Sequence, residues 1–222
     1  MEQMNLSAEA LAGEAKVNLK KWNRAPTEKA LNQAIEALES HNIKVILVES
    51  KKQALEKLVE LIPTGSEIMN GSSTTLIEIG FVDFLQKEKQ KWKNLHEQIF
   101  AEANPSKQAD LRRKAITADF FVSGVNAITK KGELVACDAS GSRVGAFHFG
   151  AKNLVVVSGT NKIVENLSEA MKRIEEFVFP LENARAKKVY GAGSSMNKFV
   201  VLAKEGAKGR VTLILVKESL GY

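Results

Sequence analysis

Residues 67–80 read "EIMNGSSTTLIEIG": a short strand pattern, a cluster of small residues, and then an apolar run with helical spacing. Two interpretations fit the cluster. Gly71 allows the main chain to approach a ligand closely, and the hydroxyls of Ser72, Ser73 and Thr74 can donate to a phosphate or another anion. Alternatively, these hydroxyls only cap the helix that follows. The two interpretations differ in whether the chain has a recognisable site at this point.

Strand and helix patterns alternate on both sides of this segment. The β-branched run "IKVILVE" (43–49) predicts a strand buried on both faces. Ser50 and Gln53 then predict a capping box at the start of the next helix. Further strands are predicted at 119–124, 153–159 and 210–218, the last of which is expected to close the sheet. This alternation predicts an α/β fold with an open, mainly parallel sheet and flanking helices.

Other segments depart from this simple alternation. Residues 126–139 predict a β-hairpin that turns at Gly132, and residues 168–179 predict an amphipathic helix. Residues 1–41 are expected to form a helical N-terminal segment. The remainder, 42–222, is expected to form a single α/β domain with a helical insertion at 81–118.

Composition excludes several classes of site. The single cysteine, Cys137, allows neither an intrachain disulfide nor a cysteine-based metal cage. The three histidines are isolated in sequence, so no metal site is expected. The "GAGSSM" segment (191–196) lacks the third glycine of a dinucleotide fingerprint. No cofactor is therefore expected.

The charge pattern favours small anions over nucleic acid. The formal net charge is +6, but basic residues mostly alternate with acidic ones, and only two Trp and two Tyr are present for base stacking. No apolar run approaches the length that spans a bilayer, and the first residues lack the apolar core of a secretory signal. A cytoplasmic protein without nucleic-acid or membrane partners is expected.

Polar and small residues follow several predicted strands. The carboxyl ends of parallel strands share one face, where α/β proteins bind ligands. Each of these residues has a structural alternative, as a turn former, an ion-pair partner or a helix cap. Their recurrence favours a ligand site. Its predicted residues are Gly71, Ser72, Ser73, Thr74, Asn126, Asp138, Gly141, Arg143, Asn161 and Lys162.

Three stretches carry a family resemblance: 70–80, the block "SGVNAITKKGELVACDASGSRVGAFHFGAKNLVVVSGTNKIV" (123–164), and "RVTLILVKESLGY" (210–222). Together they resemble the lactate-utilisation (LUD) domain family, of the stand-alone LutC-like type. The resemblance implies a fold similar to the ribose-5-phosphate isomerase and CoA-transferase group. It also implies a role in lactate or related 2-hydroxyacid metabolism beside iron–sulfur oxidoreductase subunits. Many such relatives carry a Cys-rich stretch before the last strand, which residues 182–209 lack.

Three functions are compatible with these observations. The first is binding of a small anionic metabolite, with Arg143 and Lys162 facing its carboxylate or phosphate. The second is an isomerase- or transferase-like enzyme acting on a sugar phosphate or CoA ester, with Asp138 or Glu78 as the acid/base. The third is a non-catalytic interaction subunit that uses residues 1–41 and 81–118. The sequence leaves the oligomeric state open, a homo-oligomer included.

Overall fold

A computed structural model describes residues 6–222 of the chain. Within these residues, ten strands form two sheets. The larger sheet is entirely parallel and has the spatial order β1, β10, β7, β4, β2, β3. Its strands are β1 (Lys44–Val48), β2 (Glu67–Asn70), β3 (Lys93–Asn94), β4 (Phe120–Ser123), β7 (Asn153–Gly159) and β10 (Val211–Val216). The predicted α/β class with a mainly parallel sheet is confirmed.

The position of a strand in this sheet decides its burial. β10 lies between β1 and β7 and is buried throughout, so it does not close the sheet as predicted. The edge position belongs to β1, where Leu47 is 39% exposed, so the prediction of a strand buried on both faces is wrong there. An apolar, β-branched run is found at an edge as well as in the centre, because sequence does not show how many neighbours a strand has.

The predicted hairpin belongs to a second sheet. β5 (Ala127–Thr129) and β6 (Leu134–Asp138) pair antiparallel, and Gly132 in their turn has a φ of +84°. β8 (Ile163–Val164) joins β5 and β9 (Lys198–Leu202) joins β6. Alternate residues of the hairpin face opposite sides, so this sheet has an apolar core on each face.

Helices cover the outer faces of both sheets. On one side of the larger sheet, helices pack around Leu58, Leu76 and Phe81. Beyond the second sheet, other helices pack around Leu11 and Phe177. In chain order the helices are α1 (Ala8–Ala15), α2 (Leu19–Trp22), α3 (Glu28–Ser40), α4 (Lys51–Leu61), α5 (Thr74–Glu78), α6 (Phe81–Lys87), α7 (Leu95–Ala101), α8 (Pro105–Ala115), α9 (Leu167–Arg173) and α10 (Phe179–Tyr190).

Several helix starts follow the sequence signals. The Ser50 hydroxyl accepts from the Gln53 amide at 3.4 Å and caps α4 as predicted. The Gln53 side chain, however, accepts from the Glu49 amide at 2.8 Å, one residue before the position that a capping box requires. In the predicted helical stretch 81–118, α6, α7 and α8 are accompanied by the two-residue strand β3, which forms an edge of the larger sheet.

One long helical segment runs from α9 through a π-helical turn, Ile174–Val178, into α10. It extends well beyond the predicted 168–179. Pro180 is the second residue after the wide turn, whose altered hydrogen bonding suits a residue that has no N–H to donate. The segment carries Arg173 into the interior and brings α10 alongside the carboxyl ends of the strands.

Candidate functional site

A cleft of about 1480 Å³ opens where the carboxyl ends of β2 and β4 meet the end of β6. Helices α7, α8 and α10 supply other parts of its wall. Eight of the ten predicted site residues line it, and Gly141 and Asn161 do not. The eight are Gly71, Ser72, Ser73, Thr74, Asn126, Asp138, Arg143 and Lys162.

The loop after β2 combines a helix cap with a close approach of two chain segments. The Ser73 hydroxyl accepts from the Leu76 amide at 3.4 Å and caps α5, so the capping interpretation holds for this residue. A Cβ on Gly71 would lie 2.8 Å from Cδ of Arg143. Glycine is therefore needed here because the Arg143 side chain passes directly over the main chain.

Arg143 joins two loops of the cleft. Its guanidinium donates to the carbonyl oxygen of Gly124 at 3.0 Å, to Oδ1 of Asn126 at 3.3 Å and to the carbonyl oxygen of Cys137. Asp138 fixes the main chain of Arg143, because its Oδ2 accepts a hydrogen bond from the Arg143 amide at 2.9 Å. Arg143 thus holds the loop after β4 against the end of β6.

Lys162 lies at the buried floor of the cleft. Its ammonium donates to Oγ1 of Thr75 at 2.9 Å and to the carbonyl oxygens of Val125 and Tyr222 at 3.0 and 3.1 Å. Burial lowers the pKa of Lys162 well below its ordinary value, and the positive charge of Arg173 lowers it further. Three oxygen acceptors therefore hold a charge that is almost completely removed from water.

Arg173 is the third cation of this region, after Arg143 and Lys162. It is fully buried, and it donates from Nη1 to the carbonyl oxygen of Asn126. Its Nε and Nη2 find no hydrogen-bond partner among the described residues. Its guanidinium carbon lies 5.1 Å from the centre of the Phe177 ring, and burial lowers the pKa of Arg173.

These three cations lack the carboxylate partners that other arginines of the fold have. Within residues 6–222, Arg143, Lys162 and Arg173 form no ion pair. By contrast, Arg185, which also lines the cleft, donates twice to Glu182 at 2.7 Å. The floor of the cleft consequently carries cations that form no ion pair with the described residues; burial lowers the pKa of Arg143 and of Lys162, and the charges of Asp138 and Glu78, respectively, offset part of that effect.

Asn70, the last residue of β2, contributes an unused acceptor. It lines the cleft and is only 5% exposed. Its Oδ1 accepts no hydrogen bond from any residue between 6 and 222. A buried amide oxygen without a donor is uncommon, because leaving it unpaired costs about 1–3 kcal/mol.

The predicted residues outside the cleft have structural roles. Oδ1 of Asn161 accepts from the Leu220 amide at 3.1 Å, and its Nδ2 donates to Oδ1 of Asn23 at 2.6 Å. Glu78, the weaker catalytic candidate, does not line the cleft; it accepts from the Gly221 amide at 2.8 Å, and burial raises its pKa. Gly141 lies against the side chain of Lys198.

Sequence reasoning missed about half of the chemistry of the cleft. The helices of 81–118 supply polar and aromatic side chains, and α10 and the last residue of the chain supply others. Burial lowers the pKa of His96, which belongs to this set, and Arg112 lowers it further. Asn70 ends β2 and could have been found as a strand exit, whereas the other positions do not follow a predicted strand and only the tertiary fold reveals them. The missed residues include Asn70, His96, Phe100, Gln108, Arg112, Glu182, Arg185, Tyr190 and Tyr222.

The described residues contain neither a cluster of metal-ligating side chains nor a helix that could span a membrane. Among residues 6–222, no group of three or more His, Cys, Asp and Glu side chains is placed to hold a metal ion. In the same part of the chain, no helix has the length and apolar character needed to cross a membrane.

Comparison with known proteins identifies the family. The model of the LUD domain matches residues 31–216, which is most of the chain. The chain belongs to the LUD-domain family. This membership supports a role associated with lactate utilisation, while the LutC-like type stays a prediction. No curated protein sequence matches this LUD-domain chain.

One solved structure supports the fold of the LUD domain. A DUF162 family protein from Deinococcus radiodurans is similar with a TM-score of 0.52 and 10% identity, over 87% of this chain and 99% of that one. A ribose 5-phosphate isomerase from Plasmodium falciparum has a TM-score of 0.32 and 14% identity, over 52% of each chain. A likeness as partial as the second carries no argument about chemistry.

Proposed function

We propose that this LUD-domain protein binds a small organic anion in the cleft, as an accessory component of lactate or related 2-hydroxyacid utilisation. The observation that carries the proposal is a group of three cations, the buried Lys162 and Arg173 and the half-buried Arg143, which form no ion pair within the described residues. A charge removed from water is unfavourable unless an opposite charge or several hydrogen bonds compensate it. A bound anion would supply that compensation.

The two cations that line the cleft would act differently. Lys162 already donates three hydrogen bonds, so it would attract the anion through its charge. Arg143 makes three hydrogen bonds through its guanidinium, which has five N–H donors in all, so it retains donors for a carboxylate or phosphate. Arg143 is therefore the direct contact in the proposed site.

Binding is favoured over acid/base catalysis because the nearby carboxylates are engaged. Asp138 accepts from the amides of Arg143 and Val144 and so holds the turn that carries Arg143. Glu182 accepts from Arg185 and from the Tyr222 hydroxyl. These hydrogen bonds account for the positions of both carboxylates through a structural role.

A binding screen tests the proposal. We expect at least one of lactate, ribose 5-phosphate and acetyl-CoA to raise the melting temperature of the purified protein. At a ligand concentration of 100 times Kd, the stabilisation is about 2.7 kcal/mol, or roughly 5–10 °C for a chain of this size. Arg143→Ala should reduce the affinity at least tenfold, because charge-assisted hydrogen bonds contribute about 1.5–3 kcal/mol.

Arg113→Ala is the matched control, because Arg113 is exposed and pairs with Asp110 on the surface of α8. This variant should bind like the wild type. Equal affinity in Arg143→Ala and the wild type would exclude Arg143 from the site. Co-purification with iron–sulfur oxidoreductases, with no anion bound by the chain itself, would instead favour the role of an interaction subunit.

A further inference from the structure

The cleft is larger than a small hydroxy acid requires. Pockets that enclose drug-sized ligands have volumes of about 300–1,000 Å³. This cleft has about 1480 Å³, so a three-carbon acid beside Arg143 would leave most of it empty. A small hydroxy acid alone therefore does not explain the size of the cleft.

Several exposed side chains that line the cleft are large and apolar, beside exposed polar ones such as Gln86, Lys89 and Glu97. Isolated exposed apolar residues are common on protein surfaces, but several around one cleft mark a binding surface. They come from three separate helices, α5, α7 and α10. They are Ile77 (45% exposed), Phe100 (54%), Val189 (42%) and Tyr190 (58%).

The buried part of the cleft is polar, and one of its acceptors has no hydrogen-bond donor. Oδ1 of Asn70 lines the cleft without a hydrogen-bond partner among residues 6–222. Arg143 lies close to it, since its side chain passes over the adjacent Gly71. A ligand group that carries both negative charge and an N–H or O–H donor would satisfy both residues.

We infer that the ligand is an amphipathic organic anion, with a donor-bearing anionic head against Asn70 and Arg143 and an apolar body against Phe100 and Tyr190. The inference rests on the proposed function and specifies its ligand class. The head matches the unpaired positive charge of the floor, and the body matches the exposed apolar surface. Asn70 is then a specificity-determining residue that distinguishes a hydroxylated anion from the corresponding deoxy compound.

A matched series of carboxylates tests the inference by isothermal titration calorimetry. The probes are lactate, 2-hydroxyhexanoate, hexanoate and 3-phenyllactate. We expect the affinity to increase about fourfold for each methylene group that becomes buried between lactate and 2-hydroxyhexanoate. We also expect 2-hydroxyhexanoate to bind roughly fivefold more tightly than hexanoate, because of the hydrogen bond to Asn70.

Variants separate the two parts of the ligand. Phe100→Ala combined with Tyr190→Ala should remove most of the chain-length gain and leave the affinity for lactate within about twofold. Asn70→Ala should abolish the preference for the hydroxylated compound while keeping the chain-length gain. Phe149→Ala is the control, because Phe149 is a 90% exposed aromatic residue that does not line the cleft.

The outcomes distinguish this inference from the proposed function. If the anions bind with an affinity that is independent of chain length, or if the aromatic double variant keeps the gain, the amphipathic ligand is excluded and anion binding stands. If Asn70→Ala retains the hydroxyl preference, Asn70 is not the specificity residue. If none of these carboxylates binds, and ribose 5-phosphate and acetyl-CoA do not bind either, the proposed function fails together with the inference.

Discussion

Lys162→Met gives the sharpest test of the electrostatics of the cleft. Lys162 is 1% exposed, donates to three oxygen acceptors and forms no ion pair with an Asp or Glu side chain within residues 6–222. Burial lowers its pKa in the folded protein well below the ordinary value, and Arg173 adds to this shift. Because the unfolded chain binds this proton more tightly, the charged lysine destabilises the fold.

The sign and size of the effect follow from proton linkage. The penalty is complete at pH values below the folded pKa and disappears as the pH rises towards the unfolded pKa of about 10.4. Between these two pKa values, the free energy of unfolding rises by about 1.4 kcal/mol per pH unit. From pH 8 to pH 10 the free energy of unfolding of the wild type should therefore rise relative to that of Lys162→Met.

Urea unfolding at pH 7, 8, 9 and 10 measures this difference directly. The other titrating groups are common to both proteins, so subtraction of the two pH profiles isolates Lys162. Lys152→Met, which removes an exposed lysine, should keep the wild-type profile. Parallel profiles for the wild type and Lys162→Met would show that Lys162 titrates normally, and the argument for an uncompensated buried charge would fail.

Two further substitutions test the scaffold. Gly132→Ala should lower the free energy of unfolding by about 2–4 kcal/mol in urea titrations. The residue has a φ of +84°, and a Cβ would lie 2.6 Å from the carbonyl carbon of Ala37. A loss below about 0.5 kcal/mol would contradict this packing. Asn161→Ala should speed hydrogen exchange of the Leu220 amide at least tenfold, since that amide donates to Oδ1 of Asn161 at 3.1 Å, and unchanged exchange would exclude the contact.

The local patterns of the sequence predicted much of the fold. The strands at 67–70 and 153–159 and the cap at Ser50 depend on short-range signals, and all three are confirmed. The spatial order of the strands depends on long-range pairing that leaves no local mark. This is why β1 was expected to be buried on both faces and β10 was expected to close the sheet.

The candidate site was predictable only where its residues directly follow predicted strands. Residues such as Asn126, Asp138 and Arg143 follow predicted strands, and the structure gathers them at one cleft. Phe100 and Tyr190 lie on α7 and α10, and no pattern in the sequence predicted either residue as part of a site. The cavity that they line arises from the way α7 and α10 pack, which periodicity does not encode.

The segment 70–75 shows how structural and binding roles are combined in this cleft. Ser73 caps α5, and Gly71 gives room to the side chain of Arg143 rather than to a ligand directly. An anion held here would therefore meet a guanidinium that the loop has positioned, with the Asn70 amide beside it. Since Arg143 also bonds the loop after β4 and the end of β6, one arginine fixes the relative position of three chain segments. Removal of its side chain should consequently loosen the cleft and remove its main anion contact in one step.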